Sequence, residues 1–214
     1  MAFTPGLPVI LNLDGVPSLV VGGGVVGTRR AIALQRSGSN VCVVSPEVSQ
    51  ELSDLASQSL IELRLRKFEP TDIEGMQFVV ASTNDPDVNS TVTKLALQCS
   101  ILVNDAEDSG RGNCLIPMSF QRGRLQMSVT TNGASPAIAK SILENIDREH
   151  PEYFATYLDL LFEAREKVRM NEPDIKLRTE LMRRLAADGS ILELVHAGDL
   201  VAAKQKVEQC ISSS

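Results

Sequence analysis

Three glycines with the spacing Gly-x-Gly-x-x-Gly, Gly22, Gly24 and Gly27, lie between an apolar run and a helix-forming run. In a dinucleotide-binding turn the first glycine makes the bend, the second lets a pyrophosphate approach, and the third lets helix and strand pack closely. The anion then lies at the helix N-terminus, where free N–H groups and the helix dipole favour a negative charge. The alternative is a glycine-rich turn without a cofactor. Because strand, glycines and helix follow in register, we favour a bound dinucleotide.

The end of the next apolar strand bears on which dinucleotide binds. A carboxylate usually stands there and contacts the ribose. Here the strand continues Ser45-Pro46-Glu47, so Glu47 or Ser45 are the candidates, while Glu47 equally suits the first turn of a helix. No arginine follows this strand, which favours NAD over NADP. Arg29 and Arg30, beside the glycines, weaken that inference.

Polar residues follow two later strands. One ends in a turn that contains Thr83 and Asn84, and another ends in Asn104-Asp105. If the strand order is 3-2-1-4-5, both ends lie at the crevice where ligands bind. Thr83 and Asn84 would line it near the cofactor, or the turn caps the next helix. Asp105 is either an acid–base group or a carboxylate that caps a loop.

A second polar loop, Thr130 to Pro136, leaves a strand and enters a helix. Its amides and hydroxyls suit an anionic group, although an ordinary turn with an N-cap explains them equally well. Three arginines in the same stretch, Arg111, Arg122 and Arg124, are either solvated charges or the basic side of a site for a carboxylate-rich ligand.

The elements that must position these groups alternate in type over residues 1–113. Near-continuous apolar strands separated by helices indicate a parallel sheet covered on both faces, a Rossmann-type α/β fold. The predicted strands are Leu19–Val21, Val41–Val44, Ile61–Leu65, Phe78–Ala81 and Ile101–Val103. The predicted helices are Thr28–Ser37, Glu47–Gln58 and Val88–Gln98.

The remainder divides into two parts. Residues 114–149 predict a small α+β segment with strands at Cys114–Ile116 and Leu125–Val129, and a helix opened by Ser135-Pro136. Residues 150–214 carry apolar residues at helical spacing and predict a C-terminal helical domain. We therefore expect three parts, 1–113, 114–149 and 150–214.

Composition excludes several classes of protein. The chain has 214 residues and a net charge of −6, which gives no global footprint for nucleic acid. Four dispersed cysteines and two histidines suggest neither a disulfide framework nor a resident metal site. Neither a membrane span nor a secretory leader is indicated, so we expect a cytoplasmic protein.

An ordered set of motifs resembles the precorrin-2 dehydrogenase / sirohydrochlorin ferrochelatase family, specifically the dehydrogenase–chelatase module of siroheme synthase. The motifs are Leu11-Asn-Leu-Asp-Gly15, the run from Leu19 to Gly24, Ala81-Ser-Thr-Asn-Asp85, Val103-Asn-Asp105, Cys114-Leu-Ile-Pro117 and Thr131-Asn-Gly-Ala-Ser-Pro136. Together they cover nearly the whole chain.

The resemblance implies NAD-dependent oxidation of precorrin-2 to sirohydrochlorin on the route to siroheme. It implies cofactor contacts at Val25, Val26, Pro46 and Glu47, and an essential aspartate at Asp105. It also implies a homodimer in which residues 114–149 exchange contacts and help to form the substrate site. For the carboxylates of the substrate we expect contacts from a set of polar residues, Arg111, Asn113, Arg122, Thr131, Asn132, Gly133 and Ser135.

Two questions stay open at this point. Some relatives also insert Fe2+ into sirohydrochlorin, and in this chain such a ferrochelatase activity would have to rely on Asp105 and water, with no resident metal. The alternative to an enzyme is a non-catalytic NAD(H)-sensing Rossmann module with a helical dimeriser. That alternative explains the glycines and the helices, but not Asp105 together with the 131–136 loop.

Overall fold

The computed structural model describes residues 6–108 and 110–212, and the chain divides into two compact units, Met1–Ile116 and Pro117–Ser214. The strands of the first unit are β1 (Pro17–Gly23), β2 (Asn40–Val48), β3 (Glu62–Arg64), β4 (Phe78–Ala81) and β5 (Leu102–Asp105). Its helices are α1 (Val25–Arg36), α2 (Gln50–Ser57) and α3 (Pro86–Gln98), with a 3₁₀ turn at Pro70–Ile73.

The first unit is built on a parallel sheet with the order β3-β2-β1-β4-β5, which matches the strand order assumed for the crevice and confirms the α/β class. Its central strands are apolar along their length because both faces are covered. Leu19 and Val21 pack on one face against α3 and the 3₁₀ turn, and Val20 packs on the other against α1 and α2. All three side chains are buried. The carboxyl ends of the strands therefore share one edge, which carries the candidate site.

Cys114–Ile116, predicted as a strand, is not one. The backbone N–H groups of Asn113 and Cys114 both donate to the same oxygen, Val103 O, at 3.1 Å, so the chain contacts β5 at one residue instead of pairing along it. Cys114 and Ile116 then pack, partly buried, on the α1 side of the sheet. The apolar character that suggested a strand serves this packing.

The second unit begins with an antiparallel hairpin of β6 (Met118–Arg122) and β7 (Leu125–Val129), turned at Gly123 with φ +52°. Helix α4 (Pro136–Glu149) follows, N-capped by Ser135 as predicted. The remaining helices are α5 (Tyr153–Asn171), α6 (Ile175–Ala187), α7 (Gly189–His196) and α8 (Leu200–Ser212).

Helices α5 to α8 share one apolar cluster. Tyr157 and Leu160 of α5, Leu185 of α6 and Ile191 of α7 are among its buried members. The C-terminal helical region is therefore confirmed. The division into three parts at 113 and 149 stays a prediction, because a division into compact units does not test it. Within the described residues no helix is both long and apolar enough to cross a membrane.

Candidate cofactor and substrate site

The glycine turn joins β1 to α1 at the carboxyl edge of the sheet. Gly22 has φ +109°, and a Cβ added there would lie 2.6 Å from the carbonyl oxygen of Ser82. A Cβ on Gly27 would lie 1.9 Å from the carbonyl oxygen of Gly22. Only hydrogen fits at either position, so both glycines allow the helix and the strands to approach closely.

Gly24 differs from its neighbours because a Cβ there would meet no protein atom within 4 Å. This residue is the N-cap of α1 and offers no side-chain oxygen to the first turn. The amides of that turn, including Val25 and Val26, are N–H groups that helix geometry leaves without intrahelical acceptors. The open space and these donors fit a bound pyrophosphate.

A cleft of about 490 Å³, within the range of small-molecule sites, lies at the ends of β1, β2 and β4. Four residues predicted as cofactor contacts line it: Gly22, Ser45, Pro46 and Thr83. Other lining residues were not predicted, and they are Val21, Val44, Lys67, Phe68, Pro70, Asp85, Asp87, Val88 and Thr91.

The other predicted cofactor residues do not line this cleft. Gly24, Val25, Val26 and Gly27 belong to the adjoining turn and first helical turn. Glu47 is exposed, and its carbonyl oxygen accepts a hydrogen bond of 2.6 Å from Ser45 Oγ.

Asn84 is exposed and lies outside the cleft lining. The turn around it has both roles that the sequence left open. Thr83 lines the cleft, and its N–H and Oγ1 both donate to Asn89 Oδ1, at 3.0 and 2.8 Å. Asp85 is the N-cap of α3, because its Oδ1 accepts from the amides of Asp87 and Val88.

The wall formed by Lys67, Phe68 and Pro70 follows β3 and was missed by the sequence reasoning. A signal was available in the sequence. Glu69 and Asp72 stand three residues apart around Pro70 and form a capping box, the pattern that starts a helical turn. Reading that pattern would have placed an ordered turn at the end of β3.

Asp105 ends β5 directly beside Ala81, the last residue of β4. Its side chain is fully buried and does not line the cleft. The Oδ1 atom accepts from the amides of Glu107 and Asp108, both at 3.0 Å. These amide contacts fit the loop-capping alternative, so the structure gives Asp105 that role, and its chemistry stays a prediction.

Arg111 is the ionic partner of Asp105. Its Nε lies 2.8 Å from Asp105 Oδ2 without the alignment of a hydrogen bond, and its Nη2 donates to Oδ1 at 3.4 Å. Arg111 also pairs with Glu107 at 2.9 Å and with Asp108 at 3.6 Å. The guanidinium is therefore shared among three carboxylates, and its contact with Asp105 is close but poorly aligned for hydrogen bonding.

Asn113, predicted to contact substrate, holds the start of β5 in this structure. Its Oδ1 accepts from Val103 N at 2.7 Å, and its Nδ2 donates to Ile101 O at 3.1 Å. Both ends of the amide are thus used within the fold.

The loop predicted as a second anion site lies in the other unit and closes on itself. Thr131 Oγ1 accepts from the amide of Ser135, and Ser135 Oγ accepts from the amide of Ile138 at the start of α4. Asn132 and Gly133 both have positive φ, of 50° and 85°. An ordinary turn with an N-cap therefore accounts for these contacts, and the backbone of the turn is exposed.

Arg122 and Arg124 flank the hairpin turn and are engaged inside the second unit. Arg122 pairs with Asp147 at 2.5 Å and with Glu152 at 3.4 Å, and its side chain is 13% exposed. Arg124 pairs with Asp159 at 2.8 Å and lies over the ring of Phe162. Neither is a free surface cation.

Within the described residues, no three His, Cys, Asp or Glu side chains are placed to hold a metal ion together. The cysteines Cys42, Cys99, Cys114 and Cys210 are all free thiols. Burial raises the pKa of the Cys42 thiol to about 11, so this thiol stays protonated in the core.

The fold and the glycine turn define a Rossmann-type dinucleotide-binding protein. Residues 9–118 match a family model for NAD(P)-binding domains, and residues 122–149 match the model for the central region of sirohaem biosynthesis proteins. The chain belongs to the precorrin-2 dehydrogenase and siroheme synthase family, as the motifs predicted. The predicted cofactor, NAD, is confirmed by the same comparisons.

Several relatives match over almost the whole chain. The chain is 34% identical to precorrin-2 dehydrogenase of Priestia megaterium over 87% of its own length and 92% of that relative. It is 32% identical to siroheme synthase of Thioalkalivibrio sulfidiphilus, covering 96% of this chain but 42% of that protein. The solved structure of SirC, precorrin-2 dehydrogenase, superimposes with a TM-score of 0.81 and 31% identity, covering 95% of this chain and all of SirC.

Two consequences follow from these coverages. The chain spans less than half of the siroheme synthases that it matches, so activities of their remaining parts are not transferred to it. It spans nearly all of a protein named as a dehydrogenase, which does not favour the alternative of a non-catalytic NAD(H) sensor.

Proposed function

We propose that this protein oxidises precorrin-2 to sirohydrochlorin with NAD, a step of siroheme biosynthesis. The observation that carries the proposal is the match along nearly the full length of a precorrin-2 dehydrogenase, in sequence and in fold. The glycine turn and the cleft support the proposal, since the turn leaves open space at Gly24 and the cleft is lined by Gly22, Ser45, Pro46 and Thr83.

The reaction removes two hydrogens from a reduced tetrapyrrole. A carbon–hydrogen bond of the substrate breaks, its electron pair leaves as hydride, and a proton is released as conjugation extends around the ring. NAD, when bound, supplies the hydride acceptor. The residues of this chain hold NAD and the substrate in contact. The reaction then takes place between two bound, positioned molecules and does not depend on a bimolecular encounter.

Asp105 is our candidate for the proton acceptor. It ends β5 beside β4, the strand whose following turn contributes Thr83 to the cleft. Arg111 covers its carboxylate in the present arrangement, by an ion pair that is poorly aligned for hydrogen bonding. We propose that a substrate carboxylate draws Arg111 away, because a bidentate guanidinium–carboxylate pair is the stronger contact. The exchange would bind the substrate and release Asp105 in one step.

Further polar residues are proposed to hold the peripheral carboxylates of the substrate. In the first unit these are Arg111 and Asn113, and in the second unit Arg122, Thr131, Asn132, Gly133 and Ser135. The turn at Asn132 and Gly133 supports this role best, since both residues are exposed and both have positive φ. Asn113 would act through its neighbours, because its own amide is bonded to the backbone.

Insertion of Fe2+ into sirohydrochlorin is a separate hypothesis that the family resemblance supports. In this chain the hypothesis rests on one residue. The carboxylate of Asp105 would accept the pyrrole protons, and Fe2+ would be a substrate. Adding Fe2+ or Co2+ to the purified protein and sirohydrochlorin tests it. A metallated product formed no faster than without protein would contradict it.

We propose that the protein is a cytoplasmic homodimer. The hairpin β6–β7 is a two-stranded sheet, which is marginal when isolated. Helix α4 beside it leaves Ile138 57% and Ile142 40% exposed. Burial of this apolar face against a second copy supports the dimer, and the free thiols agree with a reducing compartment.

The experiment that tests the proposed oxidation adds precorrin-2 to the purified protein and NAD under anaerobic conditions. Equal amounts of NADH and sirohydrochlorin should appear, at a rate proportional to protein concentration. Binding of NAD without any turnover of precorrin-2 would contradict the proposal.

A further inference from the structure

The loop after β3 forms one wall of the cleft, and a buried carboxylate holds it. Asp72 is 1% exposed and lies outside the lining of the cleft. Its two oxygens accept from Arg66 at 2.6 and 2.8 Å, from Arg64 at 2.9 Å and from the amide of Glu69 at 2.9 Å. Asp72 therefore ties two arginines that precede the 3₁₀ turn, Arg64 and Arg66, to the turn itself.

These contacts fix the three wall residues from both sides. Arg66 Nη1 donates to the carbonyl oxygen of Lys67 at 3.0 Å, so the bidentate pair with Asp72 also holds the backbone before Phe68. On the other side, the Glu69 amide donates to Asp72 and fixes the backbone before Pro70. The wall is thus attached to a single buried anchor.

The wall lies on the adenosine side of the proposed cofactor site. Strand β3 is at the β2 end of the sheet, and Asp105 is at the opposite end, on β5. A dinucleotide whose pyrophosphate lies at Gly24 and whose nicotinamide points toward Asp105 must lay its adenosine over β2 and β3.

We propose that Asp72, acting through Arg66, is a positioning residue that holds the Lys67–Pro70 wall against the adenosine half of NAD. The inference rests on the proposed function. Without this anchor, the wall residues would become ordered only when NAD binds. The free-energy cost of ordering them would then reduce the affinity for NAD. Asp72 therefore affects the affinity for the cofactor, not the chemical step.

The test uses the purified full chain and two probes, NADH and ADP-ribose, which lacks the nicotinamide. Asp72→Asn keeps the shape but removes the charge. We expect it to weaken the binding of both probes by about tenfold, and to raise the KM for NAD similarly, as loss of loop order predicts. At saturating NAD, kcat and the KM for precorrin-2 should stay within about twofold of the wild type.

Glu62→Gln is the matched control. It removes the other carboxylate of Arg64, which Nε contacts at 2.7 Å, but leaves the contacts of Asp72 with Arg66 and Glu69. We expect it to bind both probes like the wild type. If Asp72→Asn does not fold, Arg66→Lys is used in its place. Arg66 is 37% exposed, so the fold should tolerate the change, and a lysine at this position cannot form the bidentate pair with Asp72.

Each result decides the matter. Equal weakening of NADH and ADP-ribose supports the proposal, and restoration by Asp72→Glu strengthens it. Unchanged affinity in a folded variant, or a fall in kcat at constant KM for NAD, overturns it. If the wild-type protein binds neither probe, the proposed function itself is contradicted. If the wild type binds both probes and only the effect of Asp72→Asn is missing, the role of Asp72 alone is contradicted.

Discussion

At the scale of single residues, the glycine turn was the most predictable feature of the site. Its spacing follows from steric demands that only glycine meets, and the structure shows those demands at Gly22 and Gly27. The environment of Asp105 was not predictable, because it depends on Arg111, six residues later in an irregular loop. The strand pattern in the sequence predicts that Asp105 lies at the edge of the sheet. Its ion pair with Arg111 depends on the path of a loop, which the sequence pattern does not predict.

The glycines allow a sharp comparison. Gly27→Ala forces a Cβ onto the carbonyl oxygen of Gly22, so we expect a loss of about 1–3 kcal/mol in the free energy of unfolding, as for other overpacked sites. Gly24→Ala has open space, so its stability should change by less than about 0.5 kcal/mol, while NADH binding weakens. Urea unfolding and NADH titration measure the two quantities. Equal destabilisation by both substitutions would show that this description of the turn is wrong.

The catalytic proposal is also tested at one residue. We expect Asp105→Asn to lower kcat for precorrin-2 by at least about 100-fold, the usual contribution of a proton acceptor, with little change in NADH affinity. The control is Asp108→Asn, which removes a carboxylate 3.6 Å from the same Arg111 but 57% exposed. An Asp105→Asn variant that turns over precorrin-2 at the control's rate would rule out this role.

At the scale of elements, apolar runs predicted the five strands and most helices of the first unit, because burial on both faces leaves a clear pattern in β1, β2 and β4. The apolar pattern gave a wrong strand at Cys114–Ile116, where two side chains are partly buried for another reason. Cys114 and Ile116 are apolar because they pack on the sheet, not because they pair in it. The wall after β3 was missed because its order comes from charged contacts to Asp72.

Those charged contacts give the wall a pH dependence. Hydrogen bonds from Arg66, followed by those from Glu69 and Arg64, lower the pKa of Asp72 from 3.8 to about 2. Because the folded pKa is depressed, the resulting stabilisation of about 2 kcal/mol is fully present above pH 3.8 and is lost as the pH falls through about 2. Asp72→Asn should therefore destabilise the protein near neutral pH, and the difference from wild type should shrink below about pH 4. Urea unfolding of both proteins across this range measures it. A difference that is constant with pH would show that Asp72 is not the titrating group.

At the scale of the whole molecule, the net charge of −6 poses a problem for a carboxylate-rich substrate. The arginines that were expected to solve it are all paired with acids in this structure, Arg111 with three of them. We therefore predict that the substrate binds by exchange of ion-pair partners, which the composition alone does not reveal. The three-part division of the chain stays a prediction at this scale.

The proposed dimer has a direct test in α4. Replacing Ile138 and Ile142 together by Glu places charges on the exposed apolar face, and we expect a monomer, because burying unpaired carboxylates at an interface is costly. The control is Val201→Glu in α8, 70% exposed and outside this face. Light scattering after size exclusion gives the mass of each protein. A double variant that keeps the wild-type mass, or a monomeric wild type, would contradict the interface.

The central claim is that one chain with this fold transfers hydride from precorrin-2 to NAD. The most direct measurement follows NADH and sirohydrochlorin together after precorrin-2 is added to the purified protein and NAD in the absence of oxygen. We expect both products to rise in equal amounts, and to form at least about 100-fold more slowly with Asp105→Asn. Sirohydrochlorin without matching NADH, or no protein-dependent product at all, would contradict it.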